Sequence, residues 1–157
     1  TDEGRAKAQA LRADLDTDQF ANDLGDTVAA LKARPDCSGK VGVVGFCLGG
    51  KFTYLSATRH EIDAAVSYYG VQIHEYLDEA ENLHCPILMH FAGIDPHVPQ
   101  DTVDAIQAHM GAWDNVDIHL YPGAEHGFNR DGYPPYSEAA AGPAMQRTLA
   151  HFRKLLR

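Results

Sequence analysis

Residues 40–46 constrain the fold more than any other segment, because they form a short, valine-rich run without polar alternation. A strand that is exposed on one face alternates apolar and polar residues, whereas a strand buried on both faces is apolar throughout. The run leads directly into Gly-Phe-Cys-Leu-Gly-Gly, and a helical pattern follows over residues 49–59. The segment therefore predicts a central strand of a parallel sheet that turns sharply into a helix.

Strand and helix patterns alternate along the rest of the chain, which favours an α/β fold with a mostly parallel sheet and helices on both faces. The predicted strands are residues 64–69, 86–92 and 116–121, and the predicted helices are residues 18–34, 49–59, 99–111 and 143–156. No internal repeat, low-complexity tract or linker interrupts this alternation. Residues 1–157 are therefore expected to form a single domain.

Composition limits the partners of the chain. The net charge of −9 argues against nucleic acid, whose phosphates would repel it. No apolar run approaches the roughly 18 residues that span a bilayer, and the first residues do not resemble a signal peptide. The 3 cysteines have no framework spacing, which favours reduced thiols, so we expect a cytoplasmic location and no membrane partner.

Gly45-Phe46-Cys47-Leu48-Gly49 has the form of the nucleophile elbow G-x-S-x-G, with Cys in place of Ser. The turn is so sharp that flanking side chains would collide, so small residues are expected to be required at positions 45 and 49. The thiol of Cys47 would lie at a helix N-terminus, which favours the thiolate, and the Leu48 N–H would face a developing oxyanion. A buried structural cysteine and a phosphate-binding loop are the alternatives, although the P-loop spacing is absent.

Two further groups follow predicted strands in the order that the elbow requires, acid before histidine. Asp95 follows the strand 86–92, and His126 follows the strand 116–121. The carboxyl ends of parallel strands meet at one edge of a sheet, so Cys47, Asp95 and His126 are expected to form a catalytic triad there. Asp95 as a turn former, Asp101 as a helix cap and His126 as a solvated loop residue are the alternatives.

The remaining histidines and cysteines show no zinc-binding spacing, so no metal is expected. His90 and His119 lie within predicted strands and are interpreted as packing residues. His97 precedes Val-Pro at a predicted helix start and is not expected to be the catalytic base. Cys37 and Cys85 have no base nearby in the sequence and are expected to be inert.

Five segments resemble the dienelactone hydrolase (carboxymethylenebutenolidase) family: GFCLGG, AAVSYYGV, HFAGIDPHVP, YPGAEHGFNR and the tail YPPYSEAAAGPAMQRTLAHF. The resemblance covers nearly the whole chain and implies an α/β-hydrolase fold that needs no cofactor. It implies that Cys47 is the nucleophile, that His126 is the base and acid, and that Asp95 orients His126. It also implies that Tyr68 and Arg130 line the pocket, with the guanidinium contacting a substrate carboxylate; a solvated charge is the alternative for Arg130.

The sequence departs from the family in two respects. Gly127 stands where the best-studied members have serine, so the resemblance does not imply narrow dienelactone specificity. The family's N-terminal strands, with a glutamate, a second arginine and a second oxyanion donor, have no counterpart here. We therefore expect the chain to be the C-terminal part of a larger domain, with a further N-terminal segment of roughly 70–90 residues. Without that segment, strand 40–46 would be an uncovered edge of the sheet. The alternative to such a monomer is a homodimer in which the edge strands of the two subunits pair.

These features predict a hydrolase that cleaves small esters or lactones, some of them carboxylate-bearing, through an acyl-thioester on Cys47. A catalytically silent binding module with the same fold is one alternative, since a fold does not determine a function. A redox-sensing thiol protein is another, in which Cys47 is oxidised reversibly at its helix N-terminus.

Overall fold

Buried apolar strands alternate with helices in the computed structural model, which describes all of residues 1–157. The strands are β1 (Gly42–Phe46), β2 (Ala64–Tyr68), β3 (Ile87–Ile94) and β4 (Val116–Glu125). The helices are α1 (Asp2–Ala13), α2 (Thr17–Lys32), α3 (Leu48–Arg59), α4 (Gln100–Met110) and α5 (Glu138–Leu155), and a 3₁₀ segment covers Ile73–Asn82. All strand pairs are parallel and their spatial order is the chain order, which confirms the predicted α/β fold. None of the helices combines the length and the apolar character that crossing a bilayer requires.

The helix boundaries follow local signals where these exist. Asp16 caps α2, since its Oδ1 accepts hydrogen bonds from the backbone N–H groups of Asp18 and Gln19 at 3.0 Å each. The last helix, α5, begins at Glu138 and not at Pro143 as predicted. Pro143 lacks an N–H for the carbonyl one turn earlier but does not end the helix, because flanking alanines are buried against the sheet.

Helices cover both faces of the sheet, as predicted. Ala65 of β2 points into the larger core, which lies under α2, α3 and α4. Its neighbours Val66 and Tyr68 point to the opposite face and pack in a smaller core with residues of α5. Because successive side chains of a strand alternate between faces, β2 is buried on both sides.

β1 is the edge strand of the sheet, as expected for these residues alone, and it is not buried on both faces within this chain. β1 pairs with β2 alone, and Val44 and Phe46 remain 44% and 45% exposed. Both side chains lie on the α5 face, but α5 reaches only the start of β1, where a Cβ on Gly42 would lie 2.8 Å from Phe152 and Leu156. The apolar run of the sequence therefore overstates the burial of β1 within this chain.

The strands β3 and β4 run further than the sequence predicts, through an irregularity between Ala92 and Ile94. Pairing resumes at Ile94 and Glu125. A Cβ on Gly93 would lie 2.6 Å from the Pro122 backbone, so only glycine allows this close approach of the strands. The residues after the resumed pair, 95 and 126, are consequently neighbours across the sheet edge.

Candidate functional site

The turn between β1 and α3 holds Cys47 in a conformation that L-residues rarely adopt. Its φ is 56° and its ψ is −117°, which only a surrounding structure can enforce. The Cys47 N–H donates to the carbonyl of Tyr68 at 3.0 Å, and this bond anchors the turn to the end of β2. A Cβ on Gly45 would collide with the carbonyl oxygen of Gly49, which confirms that this glycine is required.

Gly49 has room for a side chain, contrary to the sequence prediction, and the glycine that packing requires at the start of α3 is Gly50. A Cβ on Gly49 would meet no atom within 4 Å outside its own helix backbone and its chain neighbours. A Cβ on Gly50 would lie 2.6 Å from the Cα of Gly70 and 2.7 Å from the hydroxyl of Ser67. Close packing of α3 on the loop after β2 therefore explains Gly50.

Asp95 and His126 are joined by a hydrogen bond of 2.7 Å between Oδ2 and Nδ1. The Asp95 side chain is fully buried. Its other oxygen, Oδ1, accepts from the backbone N–H groups of His97 at 2.8 Å and Val98 at 3.2 Å. Asp95 thus shapes the turn with one oxygen and binds the imidazole with the other, so the two interpretations of this residue are compatible.

His126 and Cys47 perturb each other's protonation. Interaction with His126 lowers the pKa of the Cys47 thiol; burial opposes this effect, and the Leu48 N–H reinforces it. Burial lowers the pKa of His126, but the hydrogen bond to Asp95 and the interaction with Cys47 outweigh burial and raise the pKa to about 9. The Nε2 atom of His126 is buried and has no hydrogen-bond partner. Both shifts favour a thiolate–imidazolium pair over the neutral thiol and imidazole.

Cys47 and His126 open into one cleft of about 430 Å³. The other residues that line it are Phe46, Tyr69, Gly127, Asn129 and Arg130. Tyr68, predicted to line the pocket, lies instead in the small core, where its hydroxyl hydrogen-bonds to that of Thr148 at 2.7 Å. The cleft tyrosine is Tyr69, which follows β2 with a φ of 37° and donates its hydroxyl proton to the side chain of Asn129.

Arg130 lies in the cleft, as predicted from the resemblance. Its guanidinium stacks 4.0 Å above the ring of Tyr133 and makes no salt bridge, so its N–H groups remain available to an anion. The stacking also restricts the orientation of the side chain. The interpretations of Arg130 as a carboxylate-binding residue and as a solvated charge both stay predictions.

Apart from Cys47 and His126, no histidine or cysteine lines the cleft. His90 is fully buried, hydrogen-bonds to Thr148 and Tyr121, and has its pKa lowered to about 3 by burial, as befits a packing residue. Burial raises the pKa of the Cys85 thiol to about 11. His97 is exposed, and its ring lies 4.8 Å from that of His126 in an edge-on arrangement.

Sequence reasoning missed Tyr69, Asn129 and Gly50. The rule that found Asp95 and His126, a polar group directly after a strand, would also have found Tyr69 at the end of β2. Asn129 carries no such signal, because it enters the cleft through a short turn after His126.

A strained turn at Cys47 after β1, Asp95 after β3 and His126 after β4, all at one edge of a parallel sheet, are typical of the α/β-hydrolase fold. The sequence profile of the dienelactone hydrolase family matches residues 1–156. The chain belongs to the dienelactone hydrolase family.

Relatives of this chain include two curated bacterial proteins named carboxymethylenebutenolidase. The protein from Cupriavidus pinatubonensis is 32% identical over 145 residues, which are 92% of this chain and 62% of the relative. The protein from Pseudomonas putida is 34% identical over 145 residues, 92% of this chain and 61% of the relative. A crystal structure from Klebsiella pneumoniae, classed provisionally as a dienelactone hydrolase, superposes with a TM-score of 0.78 at 34% identity, over 87% of this chain and 61% of that one. The chain thus spans about three fifths of the length of these relatives.

Proposed function

We propose that this chain carries a Cys47–His126–Asp95 triad that hydrolyses ester or lactone bonds in small molecules. The observation that carries the proposal is the buried 2.7 Å hydrogen bond from His126 Nδ1 to Asp95, which leaves Nε2 unpaired in the cleft of Cys47. A merely solvated loop histidine would have no reason to be buried and oriented by a carboxylate. Family membership and the names of the relatives support the same reaction class.

The proposed reaction begins with attack of the Cys47 thiolate on the carbonyl carbon, whose oxygen becomes an oxyanion held by the Leu48 N–H. The C–O bond to the leaving group then breaks, and the departing alkoxide takes the proton of the His126 imidazolium. An acyl-thioester remains on Cys47. His126, now neutral, removes a proton from water as it attacks the thioester, and collapse releases the carboxylic acid and regenerates the thiolate.

The cleft favours a substrate with a carboxylate near the bond that breaks. Arg130 faces the cleft and has no anionic partner of its own. The cleft also includes Gly127, whose φ of 85° would strain any side chain, so this position contributes backbone only. A small, carboxylate-bearing ester or lactone therefore fits the cleft. Gly127 offers it no hydroxyl group, whereas the best-studied family members have a serine at this position.

Incubation with p-nitrophenyl acetate followed by mass spectrometry of the intact protein tests the proposal. We expect release of nitrophenol and an acetyl adduct on Cys47, and we expect both to disappear in Cys47→Ala. Cys85→Ala, which removes a buried thiol just before the start of β3 and outside the cleft, is the matched control and should keep the activity.

Two results would assign a different role. Binding of the ester without an adduct or turnover would identify a silent binding module. Reversible oxidation of Cys47 by dilute peroxide, in a protein that hydrolyses no ester, would identify a redox-sensing thiol.

A further inference from the structure

A second cleft, of about 410 Å³, lies between α1 and the start of α3. We call it the α1 cleft; the residues that line it are Gln9, Arg12, Ala13, Leu15, Thr17, Leu48, Lys51, Gln72 and Tyr76. Two of these residues are cationic and none is acidic, although the chain as a whole has a net charge of −9. The proposed reaction does not use the α1 cleft.

Lys51 is buried in this cleft with only 4% of its surface exposed. Its ammonium has neutral partners alone: the hydroxyl of Thr17 at 3.3 Å and the amide oxygen of Gln72 at 3.5 Å. The ring centres of Phe52 and Tyr76 lie 4.9 and 5.8 Å away. A buried ammonium without a salt bridge is unfavourable, so this group would gain from an anion in direct contact.

Arg12 adds a second positive charge from the last turn of α1, and its exposed side chain makes no salt bridge. The two cations are close enough to repel each other. Burial is the largest effect on the pKa of Lys51 and lowers it; the carboxylate of Glu75 raises this pKa, and Arg12 lowers it by a smaller effect. An anion between the two cations would relieve this repulsion and form charge-assisted hydrogen bonds with both.

Leu48 connects the α1 cleft to the proposed catalytic centre. It lines this cleft with Lys51, while its N–H faces the Cys47 sulfur. The positive charge of Arg12 also contributes to the lowered pKa of the Cys47 thiol, after the larger effect of His126. The α1 cleft therefore lies beside the residue that carries the proposed nucleophile, and one of its cations acts on the Cys47 sulfur.

We infer that the α1 cleft binds a carboxylate group of the substrate through Lys51 and Arg12, at a position separate from Arg130. The inference rests on the proposed ester hydrolysis. It narrows the substrates of that reaction to molecules whose carboxylate reaches the α1 cleft when the carbonyl carbon lies at Cys47.

The test compares two esters that differ only in charge, 4-acetoxybenzoate and 4-acetoxybenzamide. The quantity compared is kcat/KM for 4-acetoxybenzoate divided by kcat/KM for 4-acetoxybenzamide. We expect this ratio to fall about tenfold in Lys51→Met and by a comparable factor in Arg12→Gln, because each variant removes a charged hydrogen bond. The value for the neutral 4-acetoxybenzamide should change less than about twofold, since an uncharged group gains little from either cation. Lys7→Gln is the matched control, because it removes an exposed cation of α1 that does not line the cleft.

The outcomes separate this inference from the proposed function. The α1 cleft is overturned as a carboxylate site if the ratio stays unchanged in Arg12→Gln and in Lys51→Met and falls only in Arg130→Ala. If Lys51→Met does not fold, Arg12→Gln decides, since its side chain is exposed. If the wild type hydrolyses neither ester, the proposed function fails. Calorimetric binding of 4-hydroxybenzoate, lost in Arg12→Gln but not in Lys7→Gln, then still supports the anion site, and equal binding in both variants overturns it.

Discussion

The hydrogen bond between Asp95 and His126 can be tested by one isosteric substitution, Asp95→Asn. The asparagine keeps an oxygen for the backbone N–H groups of His97 and Val98, at 2.8 and 3.2 Å in the wild type. It presents an amide NH₂ to Nδ1 of His126 in place of the carboxylate oxygen at 2.7 Å. Nδ1 must then accept a hydrogen bond, so the proton of neutral imidazole moves to Nε2, the atom that should act as the base.

The expected loss follows from that bond. A hydrogen bond to a charged group contributes about 1.5–3 kcal/mol. Since each 1.4 kcal/mol is about a factor of ten in rate, orientation alone accounts for a loss of about 10- to 150-fold. The wrong tautomer adds to this, so we expect kcat/KM to fall by at least about 100-fold. The free energy of unfolding should change by less than about 2 kcal/mol, because the turn keeps its backbone hydrogen bonds and a buried charge is removed.

The assay is p-nitrophenyl acetate hydrolysis together with urea unfolding of each variant. Asp101→Asn is the matched control, since Asp101 is an exposed carboxylate in the first turn of α4 that bonds only to the N–H of Thr102. An Asp95→Asn variant that is folded and keeps its activity within twofold of Asp101→Asn would falsify the role of this carboxylate. A large loss of unfolding free energy would show instead that Asp95 acts through the turn.

Three further predictions follow from the site. Gly45→Ala should abolish soluble expression through its clash with the Gly49 carbonyl, whereas Gly49→Ala should express and unfold like the wild type; equal behaviour would contradict the packing of the turn. Iodoacetamide should alkylate Cys47 with a pH midpoint below that of an ordinary thiol, and His126→Ala should raise this midpoint, because His126 is the largest cause of the lowered pKa. The thiolate–imidazolium pair should be lost as pH rises through about 9, where His126 deprotonates. Arg130→Ala should raise KM more for acidic lactones than for neutral esters, and equal effects would identify Arg130 as a surface charge.

The sequence alone determined the class of fold and predicted the residues of the candidate site. The nucleophile turn is a local feature, because a strand, a glycine, a cysteine and a helix start must follow one another within a few residues. The placement of Asp95 and His126 followed from chain order, since parallel strands bring their carboxyl ends to one edge. Neither inference needed knowledge of distant contacts.

Only the tertiary structure decided between two adjacent residues of the same type, Tyr68 and Tyr69 at the cleft and Gly49 and Gly50 at the start of α3. Tyr69 and not Tyr68 faces the cleft, because the positive φ after β2 breaks the alternation that places Tyr68 in the core. The requirement for Gly50 comes from a loop that approaches α3 from elsewhere in the chain.

The burial of β1 and the α1 cleft beside Arg12 and Lys51 were likewise decided by tertiary contacts. Apolar composition predicts what a strand can bury, but Phe46 stays exposed because α5 covers only the start of β1. Lys51 reads as an ordinary surface residue in the sequence, yet the packing of α1 and α2 beside α3 buries its charge among neutral groups. Burial is a sum over neighbours that are distant in sequence, and a single strand or helix pattern does not contain that sum.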